Sequence, residues 1–361
     1  MNNPGSWSGH RAFVVDQKVT ESETVTSFYL KPEDGGPIAD YEPGQYIGFE
    51  LDVPGKADPV KRSYTISEAP GRLDGYRVSI KREPAPAGRP DLDPGVGSNY
   101  FHDHVEVGSV LRVRAPGGVF HLDRDKDTPV VLLSGGVGLT PMISMLNSIV
   151  DSANGRPVWF IHAVRNRREQ AFGAHVRAMA AAHDNINVHI RYDAPTDDDQ
   201  LGRDHDGEGF LSAELINELT GGVSGDVYLC GPTPFMQALY DGLKGIGVER
   251  QRIHYEFFGE GSSLEPVEAA PAATGGPHKV TFKRTGVTAT WTPDSGTLLD
   301  LAEAAGVSPD FVCRAGACQT CEITLLEGRT EYIGDDVFPP DADDQVLICS
   351  ARPTSDIVLD A

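Results

Sequence analysis

The chain has 361 residues, enough for two or three domains, and its 39% hydrophobic and 23% charged content is ordinary for a globular protein. Its net charge of −22 argues against nucleic acid or an anionic membrane as a partner. No apolar run approaches the ~20 residues that span a bilayer. The N-terminus lacks the basic and apolar regions of a signal peptide, so a cytoplasmic location is expected.

Short alternating segments fill the first third of the chain. Apolar and polar residues alternate over 11–20, 25–31 and 47–51, and two further strands are predicted at 62–67 and 76–82. Gly and Pro clusters separate these segments. Short strands at this spacing predict a small antiparallel β-barrel.

The pattern changes near Thr128. A continuous apolar run over 129–134 is typical of a strand buried on both faces, and it leads directly into a glycine-rich turn and a helix to about Val150. Strands and helices then alternate, which predicts a parallel α/β sheet that binds a nucleotide. The predicted strands are 158–163, 186–191, 226–230 and 252–256, and the predicted helices are 169–182, 212–220 and 234–245.

A different composition marks the approach to the C-terminus. Residues 262–277 are rich in Pro, Ala and Gly without an apolar period, which predicts a linker. A hairpin over 279–291 and a helix over 298–305 are expected beyond it. From Lys279 onward there are 14 acidic and 6 basic side chains. This excess serves either solubility or the steering of this segment toward a basic patch on a redox partner.

Four of the five cysteines belong to one pattern. Cys313, Cys318 and Cys321 have C-x4-C-x2-C spacing and Cys349 follows, which is the plant-type ligand pattern of a [2Fe–2S] cluster. Gly316 and its small neighbours let the loop backbone wrap closely and aim N–H groups at the cluster sulfurs. A four-cysteine zinc site is the alternative, although only one cysteine pair has the usual zinc spacing.

Two segments of the predicted barrel are suited to a flavin. Arg62, Tyr64 and Thr65 supply a cation, a flat ring and a hydroxyl within one strand. Gly97 and Ser98 lead into a predicted helix start, where free N–H groups favour a pyrophosphate. Taken alone, the first segment is more often an ordinary surface strand, and the second is more often a simple glycine turn that caps a helix.

Two segments of the predicted α/β region are suited to a dinucleotide. The glycine-rich segment 135–141 follows a buried strand and opens a helix, as a dinucleotide phosphate site requires, although it is not a G-x-G-x-x-G fingerprint. Cys230 and Gly231 end a later parallel strand, at the edge where ligands bind. We interpret Cys230 as a wall of the nicotinamide site; a buried small side chain is the simpler alternative.

Taken together in this order, the segments indicate a protein family far more specifically than any one of them does. Residues from about 10 to 260 resemble the ferredoxin–NADP reductase superfamily, and within it the reductase half of flavohaemoglobins. Residues 278–361 resemble a plant-type ferredoxin, and the whole order resembles the reductase components of multicomponent oxygenases. The matching stretches are Arg62–Ser67, Gly97–His102, Ser134–Met142, His162–Asn166, Tyr228–Pro232 with Phe235 and Met236, and Ile253–Gly259.

The resemblance implies a multi-domain protein. We expect an antiparallel β-barrel flavin domain over 1–124, an α/β parallel-sheet nicotinamide domain over 125–260, a linker over 261–277 and a β-grasp ferredoxin domain over 278–361. Only about ten residues precede the first predicted strand, and a ferredoxin follows in place of a preceding globin. Nitric oxide dioxygenation by this chain alone is therefore not expected.

The resemblance also implies site residues. The flavin ligands would be Arg62, Tyr64, Thr65, Ser67, Gly97 and Ser98, with Ser79 and Lys81 as weaker candidates. The nicotinamide nucleotide would contact Gly136, Gly138, Thr140, Cys230 and Gly231. In the reaction, Tyr64 would pack on the flavin ring, Thr65 would lie near N5 and Cys230 beside the nicotinamide. Glu256 and Phe258 would cover the flavin, and Phe258 would move to admit the nicotinamide.

The implied function is an NAD(P)H-dependent reductase. It would pass electrons from NADH through FAD and a [2Fe–2S] cluster to a separate protein, an oxygenase or monooxygenase component, with FMN as the alternative flavin. The acidic segment 193–199 favours NADH, while Arg165, Arg167 and Arg168 keep NADPH open. The alternatives are a diaphorase or flavin reductase with the cluster on a side branch, and a redox-sensing protein without an oxygenase partner.

Overall fold

A computed structural model describes residues 5–85, 94–258, 264, 276–311, 314, 316, 319–333, 337, 339–340 and 342–361. These residues divide into two compact units, of which the first holds the barrel and the parallel sheet and the second holds the C-terminal sheet. The predicted linker lies outside the described residues, except for Leu264, Gly276 and Pro277. No helix in the described ranges is long and apolar enough to cross a membrane.

Six antiparallel strands form the N-terminal sheet, in the order β4-β3-β6-β1-β2-β5. The predicted alternation is real, since Ile47, Phe49 and Leu51 of β3 point into the core. Beyond the end of β4, Ile66 bridges to Val78 of β5, which brings the two edges of the sheet together as a barrel requires. The elements are β1 (Arg11–Thr20), β2 (Val25–Pro32), β3 (Tyr46–Leu51), β4 (Val60–Thr65), β5 (Tyr76–Lys81), α1 (Val96–His104) and β6 (Val110–Val113).

The second sheet is parallel, in the order β10-β9-β8-β7-β11-β12. All six residues of β7 are buried, as the continuous apolar run predicts, because helices cover both faces. The strands are β7 (Val130–Gly135), β8 (Val158–Val164), β9 (Ile186–Tyr192), β10 (Gly207–Glu208), β11 (Asp226–Cys230) and β12 (Ile253–Glu256), and the helices are α2 (Leu139–Ser152), α3 (Gly173–Ala182), α4 (Ala213–Thr220) and α5 (Thr233–Gly245).

Helix α3 begins four residues later than predicted. The side chain of Asn166 accepts hydrogen bonds from the backbone N–H groups of Arg168 and Glu169, so a local turn competes with the helix there. Phe172 then adopts a left-handed conformation with φ of 56°. The helix can start only after that residue.

The C-terminal unit is a mixed five-stranded sheet, in the order β14-β13-β19-β15-β17, with β13 and β19 parallel. Leu298 and Leu299 of α6 pack in one core with Trp291 and Phe282, which gives the expected β-grasp arrangement of a helix on a mixed sheet. Its elements are β13 (His278–Phe282), β14 (Val287–Trp291), α6 (Leu298–Ala304), β15 (Glu322–Glu327), β16 (Thr330–Tyr332), β17 (Gln345–Leu347), β18 (Ala351–Pro353) and β19 (Ile357–Leu359).

The side chain of Phe101 packs α1 against the barrel, so its truncation should destabilise the barrel. The fully buried ring lies 5.2 Å from the ring of Phe28, 5.1 Å from Phe49 and 5.3 Å from Tyr64. We expect Phe101→Ala to lower the free energy of unfolding of the barrel by about 3–5 kcal/mol in urea titrations. Val107→Ala, at a side chain 61% exposed, is the control. Equal effects of the two substitutions would contradict this packing.

Candidate cofactor sites

The carboxyl edge of the parallel sheet brings together the residues predicted to contact the nicotinamide nucleotide. Cys230 of β11 pairs in register with Ser134 of β7 on one side and with Glu256 of β12 on the other. A Cβ atom on Gly138 would collide with the carbonyl of Cys230 and lie 2.8 Å from the nitrogen of Gly231. Two segments about ninety residues apart in sequence therefore touch through their backbones.

This edge matches what a dinucleotide requires. Gly136, with φ of 54°, forms with Val137 and Gly138 a short 3-10 turn that leads into the first turn of α2. A Cβ atom on Gly136 would have no neighbour within 4 Å in the part of the chain that the structure describes. Thr140 is buried, and its hydroxyl donates to the carbonyl of Val137 at 3.2 Å. The backbone N–H groups of such a turn suit a pyrophosphate.

Cys230 is a neutral wall of this edge. Burial raises the pKa of its thiol well above the ordinary value, the nearby charge of Glu256 raises it further, and only the N–H of Gly231 opposes them. The sulfur is therefore a protonated thiol and not a nucleophile. Glu256 ends β12 half-buried, and Phe258, two residues later, is 40% exposed. The placement of these side chains over a flavin stays a prediction.

A buried histidine at the same edge was not identified from the sequence. His162 of β8 pairs in register with Ser134, and its Nδ1 lies 2.9 Å from the Ser134 hydroxyl. Its Nε2 has no hydrogen-bond partner among the described residues. Burial lowers the pKa of His162 to about 4, so the ring is neutral at pH 7. In the sequence, the one sign of this placement is that His162 lies near the end of a predicted strand.

The barrel carries the three residues predicted to contact the flavin on β4. The ring of Tyr64 is half-buried and meets Phe101 edge-to-face at 5.3 Å, which fixes its plane. Thr65 is 5% exposed. Arg62 is half-buried, and its Nη1 donates to the carbonyl of Lys61 at 2.7 Å. The strand thus holds a cation, an aromatic ring and a hydroxyl in fixed positions, and this donor set fits a flavin nucleotide.

Helix α1 carries the other residues predicted to contact the flavin. Gly97 and Ser98 are buried in its first turn, and no side chain of the described residues caps the helix at Gly95. The Ser98 hydroxyl donates to the carbonyl of Gly95 at 3.0 Å, and a Cβ atom on Gly95 would lie 2.7 Å from that hydroxyl oxygen. The approach to the helix is therefore tight, with the remaining N–H groups of its first turn directed outward, as a pyrophosphate site requires.

Ser67 and one of the two weaker flavin candidates, Ser79, are hydrogen-bonded inside the protein. Both are buried, and their hydroxyl oxygens lie 2.7 Å apart. The hydroxyl oxygen of Ser79 also lies 2.7 Å from that of Ser27, and the Ser27 hydroxyl donates to Oε1 of Glu21 at 2.6 Å. Lys81 lies at the end of β5, 3.5 Å from Glu83. Roles of Ser67, Ser79 and Lys81 toward a flavin stay predictions.

The cysteine loop is described in part. Cys313 and Cys318 lie outside the described residues, while Cys321 and Cys349 are 2% and 5% exposed. The N–H of Gly316 donates to Sγ of Cys349 at 3.3 Å, as the sequence predicts for a loop wrapped around a cluster. Gly316 has φ of 68°, and a Cβ atom there would lie 2.8 Å from the Ser350 hydroxyl. The loop therefore needs glycine here, and its donors fit a thiolate-held cluster.

Arg314, inside this loop, ties it to α6. Its guanidinium lies over the ring of Phe311 at 4.1 Å and 3.3 Å from Asp300, and it also pairs with Glu303. These contacts tie Arg314 to the helix. The cysteine spacing in the sequence gave no reason to single out this residue.

Comparisons with known proteins agree with this geometry. Three family models match in chain order: an oxidoreductase FAD-binding domain over 12–122, an oxidoreductase NAD-binding domain over 132–241 and a 2Fe-2S iron-sulfur cluster binding domain over 280–354. The fold and these sites define an NAD(P)H-dependent electron-transfer oxidoreductase that uses a flavin and a [2Fe–2S] cluster. The match to the 2Fe-2S domain favours the cluster over the zinc alternative.

Relatives of known structure or sequence show which family the chain belongs to. The flavohem-like FAD/NAD-binding domain of a nitric oxide dioxygenase from Vibrio cholerae is 36% identical, with a TM-score of 0.61 over 70% of this chain and 100% of that one. A flavohemoprotein of Bacillus thuringiensis is 42% identical over 261 residues, 72% of this chain and 64% of that one. The chain belongs to the ferredoxin–NADP reductase superfamily, as a flavohaemoglobin-type reductase module followed by a plant-type ferredoxin.

The matches cover different shares of the proteins compared. The chain spans 64% of the length of the flavohemoprotein it matches, which leaves the remainder of that protein without a counterpart in the alignment. Phthalate dioxygenase reductase shares the fold over 98% of both chains, with a TM-score of 0.58 at 22% identity. That likeness establishes the shared three-part architecture.

His162 makes the stability of this unit depend on pH. Its folded pKa of about 4 lies below the ordinary value of about 6.5, so the unfolded chain binds more protons between these values and stability falls as pH falls through that window. We expect His162 to account for about 2 kcal/mol of lost unfolding free energy between pH 7 and pH 5. His162→Gln should flatten the slope in urea titrations. The exposed His121→Gln is the control, and an unchanged slope in His162→Gln would contradict the assignment.

Proposed function

We propose that this chain takes electrons from NADH and delivers them to a separate protein, a terminal oxygenase component. The observation that carries this proposal is the backbone contact between the Gly138 turn and the Cys230–Gly231 strand end. It forms a nucleotide edge in the same compact unit as Tyr64 and Thr65 of the barrel. A ferredoxin-like unit on the same chain then provides an exit for single electrons.

Each part of the chain has a limited task. Bound flavin supplies the exchange between a two-electron donor and one-electron acceptors, and the bound cluster supplies one-electron carriage. Tyr64 and Arg62 orient the flavin, and the turn at Gly136 and Gly138 binds the nucleotide phosphates. Cys230 offers the nicotinamide a neutral, water-free wall, because burial keeps its thiol protonated. Phe258 moves to admit the nicotinamide.

The charge of the C-terminal segment supports a protein as the acceptor. Its 14 acidic against 6 basic residues suit a partner with a basic docking surface, because complementary charge speeds encounter. Phthalate dioxygenase reductase has a similar fold, which supports an oxygenase as the partner. We further propose that residues 261–277 let the ferredoxin unit reach that partner.

Replacing one cluster ligand separates this function from a diaphorase. We expect Cys349→Ser to abolish NADH-dependent reduction of a one-electron protein acceptor such as cytochrome c, because the exit path is lost. Ferricyanide reduction should stay within about twofold of wild type, since it takes electrons directly from the flavin. Persistent cytochrome c reduction in this variant would favour the diaphorase, with the cluster on a side branch.

The pairing of three arginines supports NADH over NADPH. Arg167 and Arg168 lie 3.9 Å and 3.6 Å from Asp199 and Asp198 of the acidic segment, and Arg165 lies 3.5 Å from Glu169. The cations that would hold a 2′-phosphate therefore already face carboxylates. Each arginine side chain is more than half exposed, and only the Asp199 partner is buried, at 2% exposure. Such pairs are individually weak, so their effect is on charge balance and not on stability.

The balance between these arginines and carboxylates predicts how substitutions change the choice between NADH and NADPH. The exposed Asp193 directly follows β9, where a carboxylate would accept a hydrogen bond from the ribose 2′-hydroxyl. We expect the double variant Asp193→Ser with Asp198→Asn to raise the ratio of kcat/KM for NADPH to that for NADH roughly tenfold, which corresponds to about 1.4 kcal/mol.

The control for this prediction is Asp184→Ser. Asp184 is an exposed carboxylate just before β9, at the opposite edge of the sheet, and the same loss of charge there should leave the ratio unchanged. A wild-type enzyme that already uses NADPH as well as NADH would contradict the NADH assignment. An equal change in both variants would show a general charge effect in place of a local one.

A further inference from the structure

A buried polar network joins the barrel to the helices of the parallel sheet. Its centre is Glu68, which immediately follows the predicted flavin segment and is 8% exposed. Oε1 of Glu68 accepts a hydrogen bond from Nδ2 of Asn147 on α2, and Oε2 lies 3.3 Å from Nη1 of Arg77 on β5. With Arg72 and His175, these residues form what we call the junction network.

The backbone of the same residue is also fixed from two sides. The carbonyl oxygen of Glu68 accepts from the hydroxyl of Tyr41, in the barrel core, at 2.9 Å. It also accepts from the hydroxyl of Ser144, on α2, at 2.7 Å. Both the main chain and the side chain of residue 68 thus connect the barrel to α2.

The junction network extends to α3. Oδ1 of Asn147 lies 2.8 Å from Nε2 of His175, and the guanidinium of Arg77 lies 4.9 Å from the ring centre of Phe172. Helices α2 and α3 follow β7 and β8, whose carboxyl ends carry the glycine turn and His162. A shift of either helix would move the nucleotide edge.

The other end of the junction network reaches the flavin segment. Nε of Arg77 donates to the hydroxyl of Ser67 at 3.2 Å, and Nη2 of Arg77 donates to the Ser67 carbonyl. Ser67 is the last residue of the segment that begins at Arg62. One carboxylate, that of Glu68, therefore connects the segment predicted to hold the flavin with the helix that carries the nucleotide turn.

Stability alone is a weak reason for such a network. Burying a carboxylate and a guanidinium carries a desolvation cost that their attraction recovers only when the geometry is good, and apolar replacements are often equally stable. The directional bonds of Glu68 do something that apolar packing does not, since they fix the rotation of α2 against the barrel. In hydride transfer a misplacement of about 1 Å costs up to about 100-fold in rate.

We propose that Glu68 is a positioning residue for hydride transfer from the nicotinamide nucleotide. Through Asn147 and Arg77 it fixes the orientation of the Gly138 turn relative to Tyr64, and so the alignment of the nicotinamide with the flavin. It touches neither group itself. This inference rests on the proposed flavin and nicotinamide sites.

The test is Glu68→Gln in the full chain loaded with flavin and cluster. This variant keeps the size of the side chain and an oxygen that accepts from Asn147, but removes the charge that faces Arg77. We expect unchanged flavin content, an NADH dissociation constant within about twofold, and a rate of flavin reduction by NADH that is about tenfold lower in stopped-flow experiments. The long-wavelength absorbance of stacked nicotinamide and flavin should weaken in parallel.

The matched control is Asp151→Asn. Asp151 pairs with Arg72 at 2.6 Å on the exposed rim of the junction network, and its side chain is 42% exposed. Its loss leaves Glu68 with Asn147 and Arg77, so the reduction rate should match wild type. If Glu68→Gln does not fold, His175→Ala removes only the link to α3, and a rate about threefold lower is expected there.

Two results would overturn the inference. One is a reduction rate and an absorbance band in Glu68→Gln that equal those of wild type. The other is a rate loss fully accounted for by lost flavin or by unfolding, which would make Glu68 purely structural. Failure of the proposed function is distinguishable from both, because NADH would then leave the flavin of the wild-type protein oxidised.

Discussion

The register of β7, β11 and β12 is the constraint on which the nucleotide site depends. It aligns Ser134, Cys230 and Glu256 in one row at the carboxyl edge. The glycine turn can then approach the end of β11 only where residue 138 has no side chain. A register shift in any of the three strands would separate residues that are far apart in sequence, because nothing local holds them together.

Burial has different effects at the nucleotide edge and at the junction network of the first unit. At the nucleotide edge it keeps Cys230 and His162 uncharged, so neither of these two side chains presents a fixed charge to the nicotinamide. At the junction with the barrel it surrounds Glu68 and Arg77, whose side chains lie 3.3 Å apart and pair with each other. Apolar contacts alone would leave the barrel and the helices freer to rotate, since they lack direction.

In the C-terminal unit, the backbone of Gly316 shapes the cysteine loop. Gly316 turns the loop in a left-handed conformation and donates its N–H to Cys349. Arg314 holds the same loop to α6 through Asp300 and Glu303. A loop held at Arg314 and Gly316 suits a carrier that transfers electrons with little rearrangement.

The sequence by itself determined the barrel, the parallel sheet, the ferredoxin unit and the cysteine pattern, because these depend on local periodicity and spacing. Tertiary structure alone decided that Gly138 touches Cys230, that His162 pairs with Ser134 and that Glu68 joins Asn147 to Arg77. No local pattern encodes these contacts, since each joins segments that meet only after strands are ordered and helices packed. The late start of α3 has a local cause instead: the Asn166 turn and the left-handed Phe172 replace the first residues of the helix predicted over 169–182.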